Sequence, residues 1–259
     1  LLACGVAAGI GAAFNAPIAG VLFAIEIVLT DVAISAFIPI IISAATGALV
    51  SQIVLSDDIL LNFKNVKEFD SHNTFYYILL GIFAGLISVY HARTFRKIEH
   101  IFSKYKTNGY KKALIGSLVL AFLIFLFPTL FGEGYESIKW LSSTPEKVLE
   151  NSLFENFANP NLILLLFTGI VVLLKSLATG LTLGSGGNGG NFAPSLFVGS
   201  NLGYFVAKFF TLIGVKNLPI DNFTVVGMAA LLSGLFHAPL TAIFLIAEIT
   251  GGYGLIVPL

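Results

Sequence analysis

Charged residues are scarce in this chain of 259 amino acids. Lys, Arg, Asp and Glu make up only 11% of it, about half the share of an ordinary soluble domain. Hydrophobic residues make up 56%, and the mean hydropathy is +0.92. The 14 basic and 14 acidic residues cancel, so no bulk attraction to nucleic acid is expected. The shortage of charge excludes an ordinary soluble domain and predicts an all-α integral membrane protein in a lipid bilayer.

Cysteine and histidine are scarce as well. The single cysteine, Cys4, cannot form an internal disulfide, and its small-residue surroundings predict a buried free thiol. The histidines are His72, His91, His100 and His237. Their spacing is not typical of metal ligands, so we expect no metal site and no cofactor. Both chain ends lie in apolar sequence, and we expect the chain to be part of a longer protein.

Polar links divide the apolar sequence into predicted membrane helices. Residues 1–55 are expected to form two short helices and one longer span. The later apolar segments are 74–92, 113–131, 161–180, 191–213 and 223–236, with a last one after Pro239. The span at 74–92 can continue as a helix beyond the membrane. Segments 16–29 and 239–249 are shorter than the roughly 20 residues that a spanning helix needs. Short segments beside a proline are typical of broken helices that meet inside the bilayer.

The charges in the links predict an orientation. Residues 93–112 hold half of the basic residues of the chain against one acid, Glu99. The positive-inside rule therefore predicts that 93–112 is a cytoplasmic loop. Links 56–73 and 132–160 are rich in acids and are expected on the outside. We expect the protein in the inner or plasma membrane of the cell.

A sequence pattern occurs twice, near the two ends of the chain. The pattern G-x-A-A-(x5)-F-x-A-P-(x8)-E runs from Gly5 to Glu26 and again from Gly227 to Glu248. Matched Pro and Glu, both rare here, indicate a true internal repeat. Repeats with broken helices are typical of transporters, whose substrate site lies between the repeats near the bilayer midplane. The number of crossings between the two copies leaves an inverted repeat plausible but unproved.

The stretch GSGGNGGNFAPSLF, residues 184–197, is the strongest candidate for a site. Each Gly costs a helix about 1 kcal/mol against Ala, so a loop is predicted, followed by a helix from about Asn191 with Pro194 in its first turn. The free amides of Asn191 and Phe192 and the helix dipole would favour an anion. The stretch holds no Lys or Arg, so weak binding through dipoles is expected. A glycine-rich turn that only packs helices is the alternative; a phosphate loop would need G-K-[ST].

The motif GGNFAP at 189–194 is similar to the G-x-F-x-P motif of the CLC family of chloride channels and transporters. Residues 11–26 and 231–253 resemble the paired segments of the two inverted halves of that family. The resemblance implies a CLC-type fold with inverted repeats and broken, tilted helices, with 1–55 ending the first repeat and 74–259 forming most of the second. It also implies a homodimer with a chloride pathway in each subunit. The implied anion-binding residues are Gly189, Gly190, Asn191, Phe192, Ala193 and Pro194.

The resemblance leaves a channel and a proton-coupled exchanger both open. In exchangers of the family, the helix after the first Ala-Pro often ends in two glutamates, of which the second passes protons. This chain has Glu26 followed by Ile27, and isoleucine cannot carry a proton. Glu26 is therefore a proton-pathway candidate, or else a helix-end acid bonded to backbone or water. Glu248 is expected to be a helix-end acid, and His237 a helix cap.

Other functions remain as alternatives. The chain could be a structural membrane subunit that does not transport, or could carry another anion such as fluoride or nitrate. An intramembrane enzyme needs a nucleophile and a base, and His91 and His237 have no partner at a telling spacing, so we expect no enzyme. A cation transporter would need an acid near the broken helices, and 184–197 contain none.

Overall fold

The computed structural model describes residues 1–29, 34–55, 61, 63, 66–104, 108–155 and 159–259. Within these ranges all regular structure is helical. The α-helices are α1 (Leu2–Phe14), α2 (Pro17–Phe23), α3 (Ile34–Leu55), α4 (Thr74–Lys104), α5 (Gly109–Leu126), α6 (Tyr135–Ser143), α7 (Pro160–Gly184), α8 (Phe192–Ile213), α9 (Ile220–Phe236) and α10 (Pro239–Ile249). A π-helical turn, Ala24–Val28, continues α2, and short 3₁₀ turns lie at Ser71–Asn73, Pro128–Leu130 and Pro145–Leu149.

In the part of the chain that the structure describes, five helices are long and apolar enough to cross a membrane, namely α3, α4, α5, α7 and α8. Four shorter apolar helices, α1, α2, α9 and α10, accompany them. Large apolar side chains are exposed along α3 and α5, whereas α7 and α8 are mostly buried. The prediction of a multi-pass, all-helical membrane protein with broken short helices is therefore confirmed.

Glycines bring α8 and α9 together at the centre of the core. A Cβ atom on Gly203 would overlap the carbonyl of Phe223, and one on Gly227 would overlap the carbonyl of Gly199. The two backbones therefore touch directly, as small residues allow in membrane helix packing. This contact fixes α8, the helix that follows the glycine stretch.

The repeated sequence pattern adopts the same backbone twice. Asn15 ends α1 in the left-handed region at φ 51° and ψ 40°, and His237 ends α9 at φ 56° and ψ 36°. The next residues are Ala16 at φ −128° and Ala238 at φ −122°, each followed by a proline that starts a helix. The α1–α2 corner and the α9–α10 corner are therefore copies of one motif, and the predicted repeat is confirmed.

Three expectations need correction. Residues 93–112 are not one loop, because α5 begins at Gly109 and α4 continues to Lys104, in agreement with a 74–92 span that extends beyond the membrane. With 31 residues, α4 is about 46 Å long and exceeds the hydrocarbon thickness, so its basic end is still helical. The link 132–160 is not a simple loop either, since it contains α6, whose Ile138 is buried in the core. Cys4 is a free thiol but only partly buried.

Candidate functional site

The glycine stretch forms a turn that ends at a helix N-terminus. α7 ends at Gly184, irregular backbone follows, and α8 begins at Phe192 with Asn191 as its N-cap residue. Gly186 has φ +104°, a conformation that glycine adopts without strain. The predicted loop and the helix start near Asn191 are confirmed.

The first turn of α8 offers free backbone donors. Its intrahelical ladder starts with the amide of Ser195, which donates to the carbonyl of Asn191 at 3.0 Å. The amides before it have no partner within the helix, and Asn191 makes no side-chain cap bond. No acidic residue lies in this turn. Such an end carries about half a positive charge and favours an anion.

A cavity of about 470 Å³ opens beside this turn. Of the predicted anion-binding residues, its lining includes Gly189, Gly190, Phe192, Ala193 and Pro194. A Cβ atom on Gly190 would meet nothing within 4 Å, so the space in front of this backbone is open. Asn191 is outside the lining, and its side chain lies near His91 of α4. The one acid in the lining, Glu133, is exposed to solvent.

Lys175 of α7 lines the same cavity. Its side chain is 2% exposed, and Nζ donates to the carbonyl oxygens of Leu130 at 3.2 Å and Gly132 at 2.8 Å. The ammonium also lies 4.6 Å from the ring centre of Phe197. Ion pairing among the described residues is confined to His72 and Asp70, so Lys175 forms no direct ion pair with a described carboxylate. The exposed carboxylate of Glu133 in the same lining acts on the ammonium only through its electrostatic field. The glycine stretch itself holds no Lys or Arg, and the structure adds Lys175 to its cavity from the preceding helix.

Sequence reasoning missed Lys175 because it counted charges along the chain. A signal was nevertheless present, since a basic residue inside an apolar span marks a functional site by default. The side chain of Lys175 on α7 reaches the same cavity as the glycine-rich turn that follows α7.

The ring of Phe192 is held by both copies of the repeat. It lies 5.6 Å from the ring of Phe14 and 6.0 Å from that of Phe236, measured between centroids. Phe14 and Phe236 occupy equivalent positions in the two corner motifs. Phe23 completes the cluster at 5.4 Å. The two repeats therefore clamp the first residue of α8 and fix the direction of its amides.

Glu26 and Glu248 cap each other's helices. Glu248, near the end of α10, accepts from the amides of Ile18 at 3.0 Å and Ala19 at 2.8 Å at the start of α2. Glu26, just after α2, accepts from the amides of Leu240 at 3.1 Å and Thr241 at 2.8 Å at the start of α10. The Thr241 hydroxyl adds a third bond at 2.6 Å. The short helices are therefore antiparallel and related as an inverted repeat requires.

These contacts bear on the proton-pathway candidates. Glu26 is a helix-end acid bonded to backbone, as one of its two interpretations states, and its assignment to a proton pathway stays a prediction. Ile27, the next residue, is 36% exposed. His237 is exposed at the C-terminus of α9, in agreement with a capping role. Among the described residues, no three His, Cys, Asp or Glu side chains cluster as metal ligands.

The structure thus places a turn with free helix amides beside a cavity, between two inverted repeats. This arrangement agrees with the family that the sequence motifs indicate. The family model described as "Voltage gated chloride channel" matches residues 1–259. This chain belongs to the CLC family. A CLC relative from Ralstonia nicotianae, "Putative chloride channel protein ClcB-like", is 30% identical over 100% of the chain and 57% of its own length. The "H(+)/Cl(-) exchange transporter ClcA" of Vibrio cholerae is 30% identical over 100% of the chain and 53% of its own length.

Solved structures show the same CLC fold. The structure titled "X-ray crystal structure of a slow cyanobacterial Cl-/H+ antiporter" matches with a TM-score of 0.76 and 24% identity. The match covers 99% of this chain and 57% of that one. The chain thus spans somewhat more than half the length of each of these three relatives.

Proposed function

We propose that this CLC protein moves chloride across the membrane and holds the anion at the N-terminus of α8. The observation that carries the proposal is one shared cavity. The first turn of α8 and the buried ammonium of Lys175 both line it. Gly189 and Gly190 let an anion approach the backbone closely. The electrostatic potential in the cavity is therefore positive, although the anion forms no direct ion pair with Lys175.

The strength of binding suits transport. The ammonium of Lys175 already donates hydrogen bonds to two carbonyl oxygens. It therefore attracts the anion through its electrostatic field and does not bind it directly. Helix amides bind an anion through partial charges, and conduction requires a site that the ion can both enter and leave. Chloride is therefore held weakly enough to exchange.

We propose that chloride moves without obligatory proton coupling. Ile27 supports this, because it has no group that can bind a proton. The Glu26 carboxylate is occupied by the three donors of α10, which favours a structural role. The relatives are named both as channels and as exchange transporters, and the difference is open to direct measurement.

The protein works in a bilayer, as a homodimer with one pathway in each subunit. The α4–α5 connection faces the cytoplasm, which is supported by the exposed basic residues Arg96, Lys97 and Lys104 at the end of α4. A cysteine introduced as Lys111→Cys in a Cys4→Ser background tests this orientation. It should react with an impermeant maleimide only from the cytoplasmic side, and reaction from outside would reverse the assignment.

The experiment uses the full-length protein in chloride-loaded liposomes, with chloride efflux and external pH recorded together. Chloride efflux without proton uptake is the expected result. Efflux with proton uptake against its gradient would overturn uncoupled transport and require a proton route that avoids Ile27.

Absence of chloride flux from a folded, dimeric protein would overturn the chloride assignment. Fluoride and nitrate loading then distinguish a transporter of another anion from a structural subunit that transports nothing. Only the structural subunit would fail with all three ions.

A further inference from the structure

A fully buried imidazole lies behind the anion site. His91 of α4 is 0% exposed, in a helix whose neighbouring buried residues are mostly apolar. Its Nδ1 is 2.8 Å from the hydroxyl of Ser176 on α7. The side chain of Asn191, the N-cap residue of α8, lies near the imidazole without a completed hydrogen bond to it. The imidazole of His91 is therefore bonded to α7 and lies close to the start of α8.

Two buried polar atoms in this cluster lack hydrogen-bond partners of good geometry. They are Nε2 of His91 and Oδ1 of Asn191. A neutral imidazole has one donor and one acceptor nitrogen. When the Ser176 hydroxyl donates to Nδ1, the hydrogen is on Nε2, and the amide oxygen of Asn191 is the acceptor beside it. Buried polar atoms are costly when unpaired, so a small rotation of the Asn191 side chain that completes this bond is favoured.

We propose that His91 is a positioning residue for the anion site. Its Nε2–H holds the side chain of Asn191 and so fixes the turn at the start of α8, whose amides face the cavity. The aromatic clamp on Phe192 fixes the next residue from the other side. The inference rests on the proposed chloride function, since it assigns His91 to that same site.

The test measures chloride flux of the full-length protein as a function of chloride concentration. His91→Leu keeps an apolar volume but removes both nitrogens. His91→Gln keeps an N–H donor near the position of Nε2. Losing one buried hydrogen bond should raise the half-saturating chloride concentration about tenfold in His91→Leu, with a smaller change in maximal flux. His91→Gln should restore it to within about threefold of wild type.

Ser200→Ala is the matched control, because the buried Ser200 hydroxyl donates to the carbonyl of Phe197 within α8 and to no other described residue. It should leave the half-saturating concentration unchanged. An unchanged value in His91→Leu would overturn the proposal. Equal losses in the Leu and Gln variants, together with equal drops in melting temperature without chloride, would show a packing role only and would also overturn it.

Failure of the proposed function gives a different result. In that case wild type itself moves no chloride. The contact is then measured by thermal unfolding of the variants His91→Leu, Asn191→Ala and the pair together. If the double variant loses less stability than the sum of the two single variants, the His91–Asn191 bond is supported. If the losses of the two single variants add up to that of the double variant, the bond is overturned.

Discussion

Replacing Glu248 by alanine tests the inverted-repeat architecture at one carboxylate. The change removes the acceptor of two amides at the start of α2, at 3.0 and 2.8 Å. α2 has seven residues and no side-chain cap of its own, so these amides have no substitute in the helix. Bonds to a charged group are worth about 1.5–3 kcal/mol each when buried. This site is only half-buried, and after discounting for solvent we expect a total loss of about 2 kcal/mol.

The assay is thermal unfolding of the full-length protein in detergent. A loss of about 2 kcal/mol corresponds to a fall in melting temperature of roughly 5 °C for a domain of this size. Glu26→Ala should cost at least as much, because Glu26 accepts three bonds at the start of α10. Glu99→Ala, on the exposed end of α4, is the control and should change the melting temperature by less than about 1 °C. A Glu248→Ala protein with the same melting temperature as the Glu99→Ala control would refute the capping role of Glu248.

Further substitutions test the packing and the site. Gly203→Ala should lower the melting temperature clearly, because its Cβ would overlap the backbone of α9. Gly81→Ala, with open space around it, is the control and should not lower it. Equal melting temperatures of the two variants would contradict the glycine contact. Gly190→Val should reduce chloride flux at least tenfold by filling the cavity, and Gly252→Val, also in open space, should leave the flux unchanged; normal flux in Gly190→Val would contradict the pathway. Lys175→Met should raise the half-saturating chloride concentration by about tenfold, and an unchanged value would show that its charge does not act on the anion.

Features that depend on local sequence were predictable. The loop at 184–190 follows from the cost of glycine in a helix, and the start of α8 follows from Pro194. The corner motifs were visible because Pro17 and Pro239 start helices after matching residues. The link 132–160 was harder, because α6 mixes polar and apolar residues and resembles an external loop.

Contacts between distant segments could not be read from the sequence. The pattern aligned Glu26 with Glu248, but nothing in it showed that each carboxylate caps the other's helix. Lys175 precedes the glycine stretch and is separated from it by the last turns of α7, so its return to the cavity depends on the path of the chain. His91 and Asn191 are far apart in the chain, and the packing of α4 against α7 and α8 brings them near each other.

The most direct test of the central claim is a crystal structure of the full-length protein with bromide in place of chloride. We expect an anomalous peak in the cavity, about 3.0–3.5 Å from the backbone nitrogen of Phe192 or Asn191. A bromide-saturated protein with no peak at the start of α8, or with its peak held elsewhere, would contradict it.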